Sequence, residues 1–432
     1  MRCSTVLAVL LTMVLASAGR SFGQSQPNAD KPKPDDKKAE PTIVGGWRAQ
    51  SMSLALEEGK RRSFSAEDGA VSVIISEKTF TLRVGGKIFA DMSYTSDPKQ
   101  DPCGIELKSQ EGTMLGIYKL DGNRLRMGLN DVSQGRPKDI NKESYGLVLV
   151  LTRVEGGPLW IINADGTDLH QFFSTLEGTN YGSPAWSPDG SKIACDAIRA
   201  ALGEGLSDAR LVVVDAAGGA AKELGPGAMP AWLPGGKRIG YSSYGPVRGI
   251  FTMNADGSDI QPAESVDWGA KWSPKGDEVA YADGRNVCIQ NLKIKQRRML
   301  LDKEYRQIWY GLNWSPDAQW ICYRGATENG DEAAVVHREG QEKGFRVILS
   351  RETMPELESI NNFFAWEPSE GKRILVALVT KSNPNFQLYL LDAEGKAPPQ
   401  RLAGQDATRS CLNGTWSPDG KRIVFCVRPG RN

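Results

Sequence analysis

Trp186-Ser-Pro-Asp-Gly190, Trp232-Leu-Pro-Gly-Gly236, Trp272-Ser-Pro-Lys-Gly276, Trp314-Ser-Pro-Asp-Ala318, Trp366-Glu-Pro-Ser-Glu-Gly371 and Trp416-Ser-Pro-Asp-Gly420 are six copies of one phrase. Ser at the first turn position, Pro with its preset φ at the second and Gly at the close suit a type I β-turn, so each copy reads as a tight hairpin. After each turn apolar residues recur two apart: Ile193 and Cys195, Ile239 and Tyr241, Val279 and Tyr281, Ile321 and Tyr323, Ile374 and Val376, Ile423 and Phe425. That alternation describes strands with one covered face. The phrase returns about every 40 to 50 residues, the period at which four short strands make one propeller blade.

A second set alternates with the first: Trp160-Ile-Ile-Asn163, Val212-Val-Val-Asp215, Phe251-Thr-Met-Asn254, Cys288-Ile-Gln-Asn291, Ala334-Val-Val-His337 and Tyr389-Leu-Leu-Asp392. All but the Asn291 copy reach a Gly three residues later, again the frame of a hairpin turn. Two hairpins per blade give four antiparallel strands. The unit Leu159–Phe173 precedes the first Trp phrase, and Trp416–Cys426 has no such unit after it. One blade is therefore expected to be shared between the two ends, closing six blades over residues 157–432 into a ring and removing two exposed sheet edges.

Upstream, Arg2, the apolar run Val6–Leu15 and Ala16-Ser-Ala18 read as a secretory signal over 1–23. Residues 24–41 hold almost nothing that can be buried and read as a solvated linker. Residues 42–146 alternate in strand fashion, with Asp121-Gly-Asn123 as a hairpin turn, and predict a small all-β domain.

The 53 Lys and Arg against 52 Asp and Glu leave a net charge of +1, which argues against a nucleic-acid partner. The short basic runs Lys60-Arg-Arg62 and Lys293–Arg298 read as solvated faces. His170 and His337 are the only histidines in the chain, too few for a His-based metal centre, and no cofactor is implied. The Asn163-Ala-Asp-Gly-Thr-Asp168 and Asn254-Ala-Asp-Gly-Ser-Asp259 segments place Gly fourth rather than sixth, so they read as turns and not as calcium loops. A Gly-x-Ser-x-Gly nucleophile elbow does not occur between residues 24 and 432. Counting outward from the last hairpin places Cys411 opposite Cys426, where an exported chain could form a cross-strand disulfide.

The six Trp-x-Pro-x-Gly phrases, with the Asn-Ala-Asp-Gly turns at Asn163 and Asn254, resemble the WD40-like repeat of TolB-type six-bladed propellers. That family is exported and includes periplasmic scaffolds that bind other envelope proteins. The N-terminal stretch carries Gly45-Gly-Trp47, Tyr94-Thr-Ser-Asp-Pro98, Ile105-Glu-Leu107, Leu115–Leu125 and Gly135-Arg-Pro137. It is similar to an uncharacterised lipocalin-like family of planctomycete exported proteins, which implies a barrel whose mouth could take a small apolar ligand.

Together these readings predict an all-β, monomeric, periplasmic or secreted protein that binds an envelope or secreted partner without catalysis. The loops 196–209, 242–249, 302–310, 324–332 and 350–362 leave the ring on the face opposite the turns, where binding residues are expected on a rigid scaffold. Tyr181, Tyr244, Trp268, Arg285, Trp309, Tyr310 and Arg324 are of the types that dominate interface energetics. The rival readings are a propeller hydrolase or lyase using channel carboxylates, and apolar-ligand binding by the N-terminal domain.

Overall fold

In the computed structural model the described residues are 42–55, 60–65, 71–85, 87–142, 146–174, 178–264, 269–302 and 305–430. The signal and linker expected over 1–41 lie outside them. Two compact units result, the first running to Gly156 and taking in residues near Thr179 and Arg199–Glu204, the second formed by the remainder.

The first unit is a meander of antiparallel strands: β1 (Gly45–Ala55), β2 (Arg61–Ser65), β3 (Val71–Ile75), β4 (Thr79–Val84), β5 (Lys87–Asp97), β6 (Cys103–Ser109), β7 (Gly112–Asp121), β8 (Arg124–Asp131) and β9 (Leu147–Val154). β1 pairs with both β3 and β9, which closes eight strands into a barrel, while β2 folds back on the second half of β1. The barrel thus includes β9, beyond the boundary at 146 expected from the sequence. Its continuous apolar run, Leu147-Val-Leu-Val-Leu151, is buried throughout and gives no alternation to mark it as part of the preceding domain. The β7–β8 turn is the expected two-residue loop, with Gly122 at φ 54°.

Inward positions two apart on each strand fill the barrel. Leu125, Met127 and Leu129 on β8 and Leu147, Leu149 and Leu151 on β9 meet Trp47, Met52, Leu54, Phe80, Leu82 and Leu107 in one cluster. Trp47 is fully buried, donates its indole N–H to the Ile43 carbonyl at 2.9 Å and lies under the Arg153 guanidinium at 4.2 Å. The barrel interior is thus packed with its own side chains.

The second unit is a six-bladed propeller. Among the described residues, five blades follow in chain order with inner strands Asn180–Trp186, Ala228–Trp232, Lys271–Trp272, Asn313–Trp314 and Leu357–Trp366. In the sixth, Ser410–Trp416 and Arg422–Arg428 pair with Leu159–Asn163 and His170–Phe173. Leu159 lies opposite Cys426 and Asn163 opposite Arg422, so the two ends of the propeller share one sheet as expected.

The repeated phrase is explained by contacts between blades. Its turns close by backbone bonds of 2.8–3.0 Å, including Gly190 to Ser187, Gly236 to Leu233, Gly276 to Ser273 and Gly420 to Ser417. Four of the six Trp side chains then reach back one blade. The indole N–H of Trp232 donates to the Ala185 carbonyl at 3.0 Å, Trp314 to Lys271 at 2.9 Å, Trp366 to Asn313 at 3.2 Å and Trp416 to Ala365 at 3.2 Å. The Gly also faces the Pro of the preceding phrase: Gly190 against Pro418, Gly236 against Pro188, Gly276 against Pro234, Gly371 against Pro316 and Gly420 against Pro368. Trp, Pro and Gly therefore recur because each blade must grip its neighbour. Gly240 shows how closely: a Cβ there would lie 2.1 Å from the Trp272 ring of the next blade.

The expected Cys411–Cys426 pairing is not observed. A bulge between Leu412 and Thr415 shifts the register, so Cys411 faces Val427 and Cys426 faces Leu412. Both are buried free thiols, with desolvation raising each to about 12. A hairpin count carries no information about bulges, which is why the alignment was off by one residue.

Candidate functional site

Four of the seven proposed binding residues come together at the loops of the third and fourth blades. Arg324 leaves the second strand of the fourth blade, and its guanidinium lies 4.0 Å from the centre of the Trp309 ring. It donates to Asn362 Oδ1 at 2.6 Å and to Asp331 Oδ2 at 2.5 Å. The Trp309 backbone N–H donates to the Arg324 carbonyl at 3.3 Å. Three side-chain partners thus fix one long cation, and the rotamer entropy that binding would otherwise cost is already lost in the fold. Tyr310, the next residue, is 37% exposed and stands edge-on to Phe363 with ring centroids 6.0 Å apart.

Asp331 also forms part of the wall of a depression of about 870 Å³, lined by Arg285, Arg306, Glu328, Glu332 and Arg351 among others. Arg285 and Arg306 are exposed, and Arg306 pairs with exposed Glu328 at 3.5 Å. On the floor, Glu332 accepts the Tyr305 hydroxyl proton, and burial beside Tyr323 pushes the Tyr305 phenol well above its ordinary range. The site offers a fixed Arg–Trp stack beside a depression carrying both charges.

The other three proposed residues behave differently. Tyr181 is 3% exposed and packs on Phe173 with ring centroids 4.8 Å apart. Tyr244 is 8% exposed, its hydroxyl 3.5 Å from the Met229 sulfur. Both fill space between inner strands, because an aromatic ring with one polar tip suits a partly polar interior as well as a loop. Trp268 lies outside the described residues.

His170 is half exposed with Nδ1 2.9 Å from the Asp168 carbonyl, and His337 closes its hairpin and stands edge-on to Trp320. The Asn-Ala-Asp-Gly segments are turns: Asp165 accepts from the Thr167 N–H and hydroxyl, as Asp256 does from Ser258. Among the described residues no group of three or more His, Cys, Asp or Glu is placed to hold a metal ion.

The central channel holds two charged groups that sequence reading did not single out. Asp196, at the end of the second strand of the first blade, accepts the Met229 N–H at 2.8 Å and a hydrogen bond from Ser183. Burial pushes this carboxyl up, opposed by those bonds and by the Arg428 and Lys271 charges. The backbone is arranged for this role, since the residue three before the Trp is left-handed in five blades: Ser183 at φ 45°, Met229 at 54°, Gly269 at 74°, Gly311 at 94° and Asn413 at 53°. The non-glycine cases store strain, and at Met229 the conformation turns an N–H onto Asp196.

Lys271 immediately precedes Trp272, at the position held in the other phrases by Ala185, Ala231, Asn313, Ala365 and Thr415. Desolvation pushes its ammonium down to about 8, with Asp196 opposing. Comparing that position across the repeats would have exposed it as the single charged member. Asp196 carried no signal, because its burial depends on the neighbouring blade.

No protein-family model matches the chain, and no curated protein sequence matches it. Solved structures do. A protein described as TolB from Agrobacterium tumefaciens is 17% identical over 64% of this chain and 99% of its own, with a TM-score of 0.50. TolB from Acinetobacter baumannii is 12% identical over 74% of this chain and 80% of its own, with a TM-score of 0.39. An oligogalacturonate lyase in complex with manganese is 14% identical over 70% of this chain and 96% of its own, with a TM-score of 0.40. The first establishes a TolB-like propeller fold, and at this identity the likeness is one of fold alone.

Proposed function

We propose that this protein is an exported, non-catalytic scaffold of the cell envelope that captures a protein partner on the loop face of its propeller. The observation that carries the reading is Arg324, stacked on Trp309 and held by Asp331 and Asn362, with exposed Tyr310 beside it. Aromatic residues and Arg are the types that anchor interfaces, and a pre-ordered Arg loses little entropy on binding. The export reading is supported by the N-terminal signal pattern, and among the described residues no helix is long and apolar enough to cross a membrane.

The test is affinity capture from envelope extract with the intact protein and a Trp309→Ala/Tyr310→Ala variant, with captured proteins quantified by mass spectrometry. A partner held by the wild type is expected to fall about tenfold or more, the scale of losing one anchor residue. Equal capture by a variant with an unchanged thermal transition would remove this face from the function.

A further inference from the structure

The turn-side end of the central channel forms an open cavity of about 540 Å³. Its walls are the tryptophans and prolines of the repeated phrases, among them Trp186, Trp232, Trp272 and Trp416, with Lys271 and Asn313 as neighbouring polar members of the ring. We propose that this cavity is a binding site for a small carboxylate with an aromatic or apolar body, whose counter-ion is Lys271.

The repeat itself supplies the argument. Six blades present one residue each at this level, and alanine fills the position in three of them, so the ring closes without a long side chain there. In four blades this position serves its neighbour through its backbone carbonyl, which in the third blade is Lys271 O accepting from Trp314. The lysine side chain is therefore not required by the architecture. Among the described residues its Nζ makes no hydrogen bond or ion pair within 4 Å, although burial desolvates it and it lines a cavity walled by indole and proline surfaces together with polar atoms. Holding an ammonium there without a direct partner is unfavourable, and a bound anion removes that cost.

The one carboxylate acting on Lys271, Asp196, is already held by the Met229 N–H and Ser183 and faces the Arg428 charge. It biases the site without occupying it. The ligand chemistry follows from the walls: indole and proline surfaces favour a flat or apolar body, and a single cation admits a single anionic group. Asn313 stands next to Lys271 in the ring and adds an amide within the same arc.

Benzoate is the probe. Titration calorimetry of the full chain near pH 7 is expected to show saturable binding at one site. Lys271→Ala should weaken it about tenfold or more, and Lys271→Arg should retain most of it, since either cation can pair with a carboxylate. The alanine variant is expected to fold because the ring already tolerates alanine in three blades, which an unchanged thermal transition checks. Binding should also fall as pH rises through 8 to 9, where Lys271 loses its proton. Absence of saturation up to about 10 mM benzoate, or equal affinity in wild type and Lys271→Ala, would overturn the proposal.

Discussion

The barrel and the propeller both close on themselves, and they do so by opposite means. The barrel closes through one ladder, β1 against β9, in which every hydrogen bond belongs to a single continuous sheet. The propeller closes six separate sheets through side-chain and indole contacts between them, and through one sheet that both of its ends supply. A ladder is made from backbone, which every residue but proline provides in full, whereas contacts between blades need particular side chains at particular positions. Closure is therefore written in the propeller sequence and nearly invisible in that of the barrel.

The sharpest way to break this contrast is Phe425→Asp. Phe425 is fully buried in the shared blade opposite Trp160, and an unpaired charge there should cost more than about 4 kcal/mol. The propeller is expected to lose its cooperative transition, read by calorimetry and by tryptophan fluorescence, while the barrel keeps its own. Survival of the propeller transition would mean that the shared blade does not close the ring. Leu149→Ala is the matching change in the barrel. With Leu149 fully buried in β9, removing its side chain should cost about 4 kcal/mol, registered in the environment of Trp47, the one tryptophan between residues 42 and 156.

Next in size is Lys271→Met. The folded pKa of Lys271 is lowered to about 8, below its ordinary value of about 10.4, so between these values the unfolded chain binds more protons and stability rises with pH. The cost of the charged lysine is complete below pH 8 and absent above about 10.4. The methionine variant should therefore be more stable by roughly 2 kcal/mol at pH 7, an advantage that closes across that window in denaturant titrations. A constant difference at all pH values would place the effect in packing rather than charge.

The smallest effect is expected from Trp416→Phe, which keeps an aromatic ring but removes the donor to the Ala365 carbonyl. A loss of about 1 kcal/mol in the propeller transition follows from one hydrogen bond. No loss would show that Trp recurs for its volume and not for its N–H.

The candidate site was legible only in part. Trp309, Tyr310 and Arg285 could be singled out because they fall between strands, where residue type is informative; Arg324, expected at the start of a loop over 324–332, lies instead within the strand Trp320–Thr327, paired with Ala333. Tyr181 and Tyr244 share that residue type but are buried by their neighbours, a distinction that depends on packing and not on position along the chain. The register of the last hairpin was hidden for a similar reason: a bulge at Leu412–Thr415 leaves no mark in the alternation around Cys411 and Cys426.

By itself the sequence determined six blades, their hairpins and the shared closing sheet, because those rest on interactions repeated at a fixed period, and repetition separates signal from chance. Tertiary structure alone decided that Asp196 is buried beneath the Met229 N–H, that Lys271 lines the turn-side cavity without a direct partner, and that Arg324 is held rigid by Asp331, Asn362 and Trp309. Each of these depends on residues from a different strand or blade, brought together only when the ring closes, and no local pattern records such a meeting.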